Sequence, residues 1–251
     1  MPSIRVNTLR ISPAELKSAM GRYGKVETVP WYPSALIVQG ENLANTQEYQ
    51  LGYFYLQSLA SMLPVIALDP QPGEHILDLA AAPGSKATQI AQHMKNSGIL
   101  IANDDAYMRL KPLGGHIGRL GILNCAVTEY DGRKLPSIMH FHRVLLDAPC
   151  SGLGSRFTHS PYSPNRLRQM CKLQKQLLVH AFDLLLPGGR LIYSTCTTRN
   201  EENEEVVQRL LDKRSDAKLE KPGLPVPHTY GPGARIELDE FFFIAQLTRG
   251  E

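Results

Sequence analysis

Short apolar runs alternate with amphipathic stretches along most of the chain. Residues 75–79, 99–102, 125–128, 144–146 and 191–194 are apolar runs of strand length. Residues 85–94 and 107–120 predict helices between them, the second despite Gly114 and Gly115. A longer helix is predicted over 163–186. Ser163 caps it and Pro164 opens its first turn. Leu167, Met170, Leu173, Leu177, Leu178, Ala181 and Leu185 form its apolar stripe, and Pro187-Gly188-Gly189 stops it. Residues 202–211 predict a further helix and 241–247 a last strand. Strand–helix alternation of this kind predicts an open α/β sheet with helices on both faces, placed in residues 46–251. Its first helix is read at 49–63, stopped by Pro64. Residues 1–45 read as a small α+β module. Ser12-Pro13-Ala14-Glu15 starts a capped helix that ends near Gly21, and strands follow at 26–29 and 35–38.

Composition narrows the class. Hydrophobic residues make up 43% and charged residues 20% of the 251, the balance of an ordinary globular domain. A net charge of +3 is too small to mark a nucleic-acid binder by itself. No apolar run is long enough to span a membrane. The first ten residues carry Arg5 and Arg10 and no apolar signal core, so a cytoplasmic location is expected. The four cysteines, Cys125, Cys150, Cys171 and Cys196, form no CxxC pair and have no His at zinc-ligand spacing. No metal site and no disulfide framework are expected. Cys125 and Cys171 read as small buried apolar residues. Cys150 and Cys196 do not, because of where they stand.

In open α/β sheets, ligands bind beyond the carboxyl ends of the strands. After the first strand stands Ala80-Ala81-Ala82-Pro83-Gly84-Ser85-Lys86. Its small side chains allow close approach to the backbone, and the helix amides that follow suit an anionic group. After the second stands Asn103-Asp104-Asp105, roughly 20 residues on, the spacing of an acid that grips a ribose. Asp131-Gly132 follows the third, Asp147-Ala148-Pro149-Cys150-Ser151-Gly152 the fourth, and Ser194-Thr195-Cys196-Thr197 the fifth. Three acids and two cysteines thus converge on one sheet edge.

These motifs, with Glu201-Glu202-Asn203-Glu204, closely resemble those of the Sun/Nop-type RNA cytosine 5-methyltransferases. The likeness extends to Ile4-Arg5-Val6-Asn7-Thr8-Leu9 and to the ending Phe241-Phe242-Phe243-Ile244-Ala245, and in compactness it is similar to archaeal tRNA members. The resemblance implies a Rossmann-like class I methyltransferase domain, S-adenosylmethionine as methyl donor, and structured RNA, tRNA first, as partner of a monomeric enzyme. By position, Ala80 to Lys86 would hold the methionine part. Asp104, with Arg109 close by, would bind the ribose, Asp131 the adenine, and Asp147 would lie between cofactor and base. Three residues depart from the family's habit: Ala80 for Cys, His116 for Asn and Glu240 for Gly.

Cytosine carbon 5 is a poor nucleophile until a thiolate adds to carbon 6. The resemblance implies that Cys196 attacks, Asp147 stabilises the adduct and Cys150 assists release. Pro149-Cys150 is also similar to the Pro-Cys of DNA cytosine methyltransferases, so Cys150 as nucleophile is the rival assignment. Lys86 reads equally as a charge near the site or as a solvated helix-start residue. From Ser151 to Phe182 there is no acid, and Arg156, Arg166, Arg168 and Lys172 read as an RNA footprint. Residues 1–45, with Arg5 and Arg10, are expected to add a second RNA surface. The alternatives are an RNA ribose 2′-O-methyltransferase, which would leave both cysteines unexplained, and rRNA in place of tRNA as substrate.

Overall fold

Two sheets share the chain in the structure, a computed structural model that describes residues 2–155 and 163–250. The first third of the sequence supplies β1 (Ser3–Val6), α1 (Pro13–Met20), β2 (Val26–Thr28), β3 (Ala35–Val38), the one-turn α2 (Gln47–Gln50) and β4 (Phe54–Leu56). These strands form an antiparallel sheet in the order β2-β3-β1-β4. Ser12 caps α1 in a full capping box with Glu15, as its spacing predicts.

The remaining elements are α3 (Leu59–Leu68), β5 (His75–Asp78), α4 (Ser85–His93), β6 (Ile99–Asp104), α5 (Tyr107–Leu120), β7 (Cys125–Glu129), β8 (Phe141–Asp147), α6 (Pro164–Asp183), β9 (Leu185–Thr195), α7 (Glu204–Lys213), β10 (Ala217–Glu220), β11 (Thr229–Tyr230), β12 (Ala234–Glu237) and β13 (Phe241–Arg249). They build one sheet in the order β11-β12-β13-β9-β8-β5-β6-β7, with β10 also on β13. Strands β5 to β9 run parallel, and β13 inserts antiparallel to β9. One face buries Ile76, Leu100 and Ile192 against Ile90 of α4 and Leu113 of α5. The other buries Leu77, Val144 and Leu191 against Leu178 of α6 and Val207 of α7. Helices therefore cover both faces, and the carboxyl ends of the parallel strands share one edge. Among the described residues no helix is long and apolar enough to cross a membrane.

The helix expected over 49–63 is broken: α2 ends at Gln50, β4 intervenes, and helix resumes only at Leu59. Gly52 sits at φ +72°, and a side chain there would come within 2.0 Å of the Arg119 carbonyl, so the chain turns and pairs as β4. The small sheet consequently takes its fourth strand from beyond residue 45. Pro64 lies inside α3 and does not stop it. One backbone donor is lost there, but Leu63, Val65, Ala67 and Leu68 are buried around it and hold the turn.

Arg5 corrects a second expectation. It is 1% exposed and belongs to no RNA surface. Its guanidinium donates to Gln57 Oε1 at 2.6 Å, the Ser85 carbonyl at 2.6 Å, Thr88 Oγ1 at 2.8 Å and Gln92 Oε1 at 3.2 Å. Burial lowers its pKa to about 10. Asn7 joins the sheets a second time, donating to the Gly52 and Leu120 carbonyls at 2.8 Å each. A strand of the small sheet thus plugs into the first turns of α4.

Candidate active site

The loop from β5 to α4 is shaped by backbone contacts. The Ala81 amide donates to the Asn103 carbonyl at 2.7 Å and the Ala82 amide to Asp104 Oδ2 at 3.2 Å. Gly84 lies at φ +109°, where a Cβ would come 2.7 Å from Leu113 Cδ1. The Asn103 side chain ties β6 to its neighbours, donating to the Leu79 and Tyr130 carbonyls at 3.1 and 3.0 Å. Side-chain networks of this kind fix loops that would otherwise move.

Beyond this edge lies a cavity of about 270 Å³. Asp104, Arg109 and Asp131 line one side, and Asp147, Cys150 and Cys196 the other. Asp104 is buried and pairs with Arg109 at 2.7 Å. Desolvation raises its pKa against that partner. Asp131 is gripped through both oxygens by Arg133, at 2.9 and 2.6 Å, which brings its pKa down to about 2. Ala80 and Ala82 reach the cavity, whereas Ala81 turns into the core and Pro83 is exposed. The Ser85 carbonyl is taken by Arg5.

Lys86 is not a solvated helix-start residue. It is 7% exposed, pairs with Asp147 Oδ2 at 2.7 Å and donates to Ser61 Oγ at 3.1 Å. Burial pulls its pKa down, and Asp147 more than offsets this, so the ammonium persists. Asp147 Oδ1 accepts from Ser194 Oγ at 2.7 Å. The carboxylate is therefore oriented from both sides.

The two cysteine sulfurs lie 3.5 Å apart. Either thiol can donate across this contact. The hydrogen bond to Cys150 lowers the Cys196 pKa, and the nearby Lys86 charge adds to this against burial and Asp147. The same contact, with burial, pushes the Cys150 thiol well up. The pair is thus asymmetric, with Cys196 the more acidic of the two thiols. Cys125, by contrast, is pushed up to about 12 by burial.

Two residues quoted only as part of a motif hold these loops. Glu202, fully buried, accepts from the Ser151 amide at 2.8 Å, from the Ser151 hydroxyl, and from Gln174 Nε2 at 3.1 Å. Asn203 accepts from Thr195 Oγ1 at 2.5 Å and donates to the Thr197 carbonyl at 2.8 Å. Glu202 clamps the Cys150 loop and Asn203 the Cys196 loop. Of the three departures, Ala80 lines the cavity, His116 packs edge-on against Tyr55 at 4.8 Å, and Glu240 contacts the Ser58 hydroxyl. Arg166, Arg168 and Lys172 are exposed on α6. Arg156 and His159 lie outside the described residues.

The donor set fits a nucleoside that carries positive charge. Paired acids suited to hydroxyls stand at one end and the more acidic thiol, Cys196, at the other. Directly beneath the loop, both oxygens of Asp78 are buried without a hydrogen-bond partner. Burial, with Asp147 nearby, raises its pKa to about 8. An unpaired buried carboxyl of this kind is stabilised by a cation placed near it.

The family model of the 16S rRNA methyltransferase RsmB/F matches residues 65–247, and that of the N-terminal domain of 16S rRNA methyltransferase RsmF matches residues 1–59. The chain belongs to this family of RNA cytosine-5-methyltransferases. The methyltransferase is 43% identical over 240 residues to a tRNA (cytosine(49)-C(5))-methyltransferase of Pyrococcus abyssi, covering 90% of this chain and 75% of that protein. It is 43% identical over 230 residues to ribosomal RNA small subunit methyltransferase F of Klebsiella pneumoniae, covering 86% of this chain and 48% of that protein. It thus spans about half the length of the latter relative. Its fold matches NSun6 from Pyrococcus horikoshii, solved with SFG, at a TM-score of 0.91 and 26% identity, covering 100% of this chain and 91% of that one. A methyltransferase homologue from the same organism matches at 0.87 and 33% identity, covering 99% and 86%.

Proposed function

We propose that the protein methylates carbon 5 of cytosine in a structured RNA, with S-adenosylmethionine as donor and Cys196 as nucleophile, acting as a monomer in the cytoplasm. The observation that carries this reading is the 3.5 Å contact between Cys150 and Cys196, which lowers the pKa of one thiol at the other's expense. A ribose 2′-O-methyltransferase has no use for such a pair. The neighbour solved with SFG, an S-adenosylmethionine analogue, supports the choice of cofactor.

In this reading Asp104 and Arg109 hold the ribose end, Asp131 the adenine, and the loop from Ala80 to Lys86 the methionine end. S-adenosylmethionine supplies an electrophilic methyl group on its sulfonium. The Cys196 thiolate adds to carbon 6 of the flipped-out base and makes carbon 5 nucleophilic. Asp147, held by Lys86 and Ser194, faces ring nitrogen 3 and the exocyclic amine. Once the Cys196 sulfur is bound in a C–S bond, it no longer accepts the Cys150 proton. Cys150 then becomes more acidic; once it has given its proton to solvent, its thiolate can take the carbon 5 proton while the C–S bond breaks and the Cys196 thiolate leaves. Arg166, Arg168 and Lys172, exposed on α6, contact the RNA backbone.

We take tRNA first and rRNA second among substrates; the tRNA methyltransferase relative, matched over the larger share of its length, supports that order. Bisulfite sequencing of total RNA after incubation with enzyme and cofactor decides. New protected cytosines in tRNA are expected. Protection confined to rRNA would reassign the substrate. Methylated riboses without protected cytosines would overturn the reading.

A further inference from the structure

A second, open concavity of about 1020 Å³ lies over α6, between the loop after β7 and α7. The loop contributes Arg133 and Lys134, α6 contributes Arg168, Lys172 and Lys175, and α7 contributes Arg209 and Lys213. Three acids also line it, and each is already matched. Asp183 pairs with Arg214 at 2.7 Å, Glu201 with Arg199 at 3.9 Å, and Glu205 with Lys175 at 3.7 Å. Arg133 is spent on Asp131. Lys134, Arg168, Lys172, Arg209 and Lys213 form no ion pair among the described residues. The trough therefore carries five unpaired cations and no unpaired acid. Unpaired charges of one sign gathered on one surface repel each other and attract a polyanion.

The placement indicates which polyanion. The N-terminal end of α6 follows the Cys150 loop, and the trough runs from there down the flank of the sheet. Its lining on α6 extends from Pro164 to Asp183. At a rise of about 1.5 Å per residue this is roughly 28 Å. A helical nucleic-acid strand advances about 3.4 Å per phosphate, so the trough is long enough for several phosphates.

We propose that this trough is a second RNA-binding track, which holds the phosphate backbone of the substrate away from the target cytosine. The proposal rests on the reading that the substrate is RNA. It extends the RNA contact from Arg168 and Lys172 on α6 to α7 and to the loop after β7.

The test is the triple variant Lys134→Ala, Arg209→Ala and Lys213→Ala. All three residues are exposed, so the fold should survive. Binding of an unmodified tRNA transcript is measured by fluorescence anisotropy between about 50 and 200 mM KCl. With three phosphate-neutralising cations removed, the slope of log affinity against log salt should flatten by about 2 to 3. At moderate salt the Kd should rise at least about tenfold. Methylation is followed in parallel on the transcript and on an oligonucleotide of about five nucleotides that reaches only the cavity. The defect should appear on the transcript and not on the oligonucleotide. An unchanged salt slope would overturn the proposal, as would an equal defect on both substrates. Failure of the wild-type enzyme to methylate either RNA would instead refute the catalytic reading, and the salt slopes would still report on the trough.

Discussion

Replacing Cys150 with alanine removes the donor on which the Cys196 thiolate rests. A hydrogen bond to a charged group is worth about 1.5–3 kcal/mol, and a thiol is a weak donor, so the lower end applies. At about 1.36 kcal/mol per unit, the Cys196 pKa should rise by about one unit. Iodoacetamide reacts with the thiolate, so its rate at Cys196 rises with pH and levels off above the pKa. The variant's profile should be displaced about one unit to the alkaline side. It should be about tenfold slower where both thiols are protonated and equal to wild type where both are ionised. Cys150→Ser keeps a donor and should restore most of the shift. Peptide mass spectrometry separates Cys196 from Cys125 and Cys171. The same variants answer a second question on a denaturing gel with RNA and cofactor. Cys150→Ala should accumulate protein bound covalently to RNA, and Cys196→Ala should form none. Superimposable alkylation profiles for wild type and Cys150→Ala would refute the role given to the sulfur contact. An adduct in Cys196→Ala with none in Cys150→Ala would reverse the two cysteines. Methylation surviving in both without any adduct would end the covalent mechanism.

Two further outcomes follow from the cofactor end and from the joint between the sheets. Asp104→Ala and Asp131→Ala should each weaken S-adenosylmethionine binding by roughly one to two decades, since each removes a hydrogen bond to a charged group; calorimetric titration checks this, and unchanged affinity in both would remove them from the site. Arg5→Met leaves the partners on Gln57, Ser85, Thr88 and Gln92 facing an apolar chain and should cost about 3 kcal/mol, a fall in Tm of about 6–12 °C by calorimetry.

The strand–helix alternation from residue 75 onward was legible because the central parallel strands are buried on both faces and each helix on one. That leaves apolar runs and 3.6-residue stripes in the sequence. The cysteines and Asp147 were legible for a related reason: the topology puts whatever follows each strand at one edge. The segment 49–63 misled because its apolar spacing suits a helix, and only the approach of the Arg119 carbonyl to Gly52, far along the chain, forbids one. Strands β10 to β12 are short; β10 and β12 form by pairing onto β13, and β11 by pairing onto β12. Arg5 looked like a surface charge because its four acceptors come from residues 57, 85, 88 and 92. Glu202 stood among three acids, and nothing in Glu201-Glu202-Asn203-Glu204 distinguishes the one that turns inward.

The Arg5 joint also governs how the molecule can open. Withdrawing β1 from α4 would leave a buried guanidinium and its acceptors without partners at the same moment, so neither sheet can loosen first at low cost. The small sheet and the first turns of α4 should form one cooperative unit, whose amides exchange with solvent at a common rate. A segment that looks detachable along the chain is in this sense part of the floor beneath the catalytic loop, and any force on the small sheet is transmitted to the turn that carries Lys86.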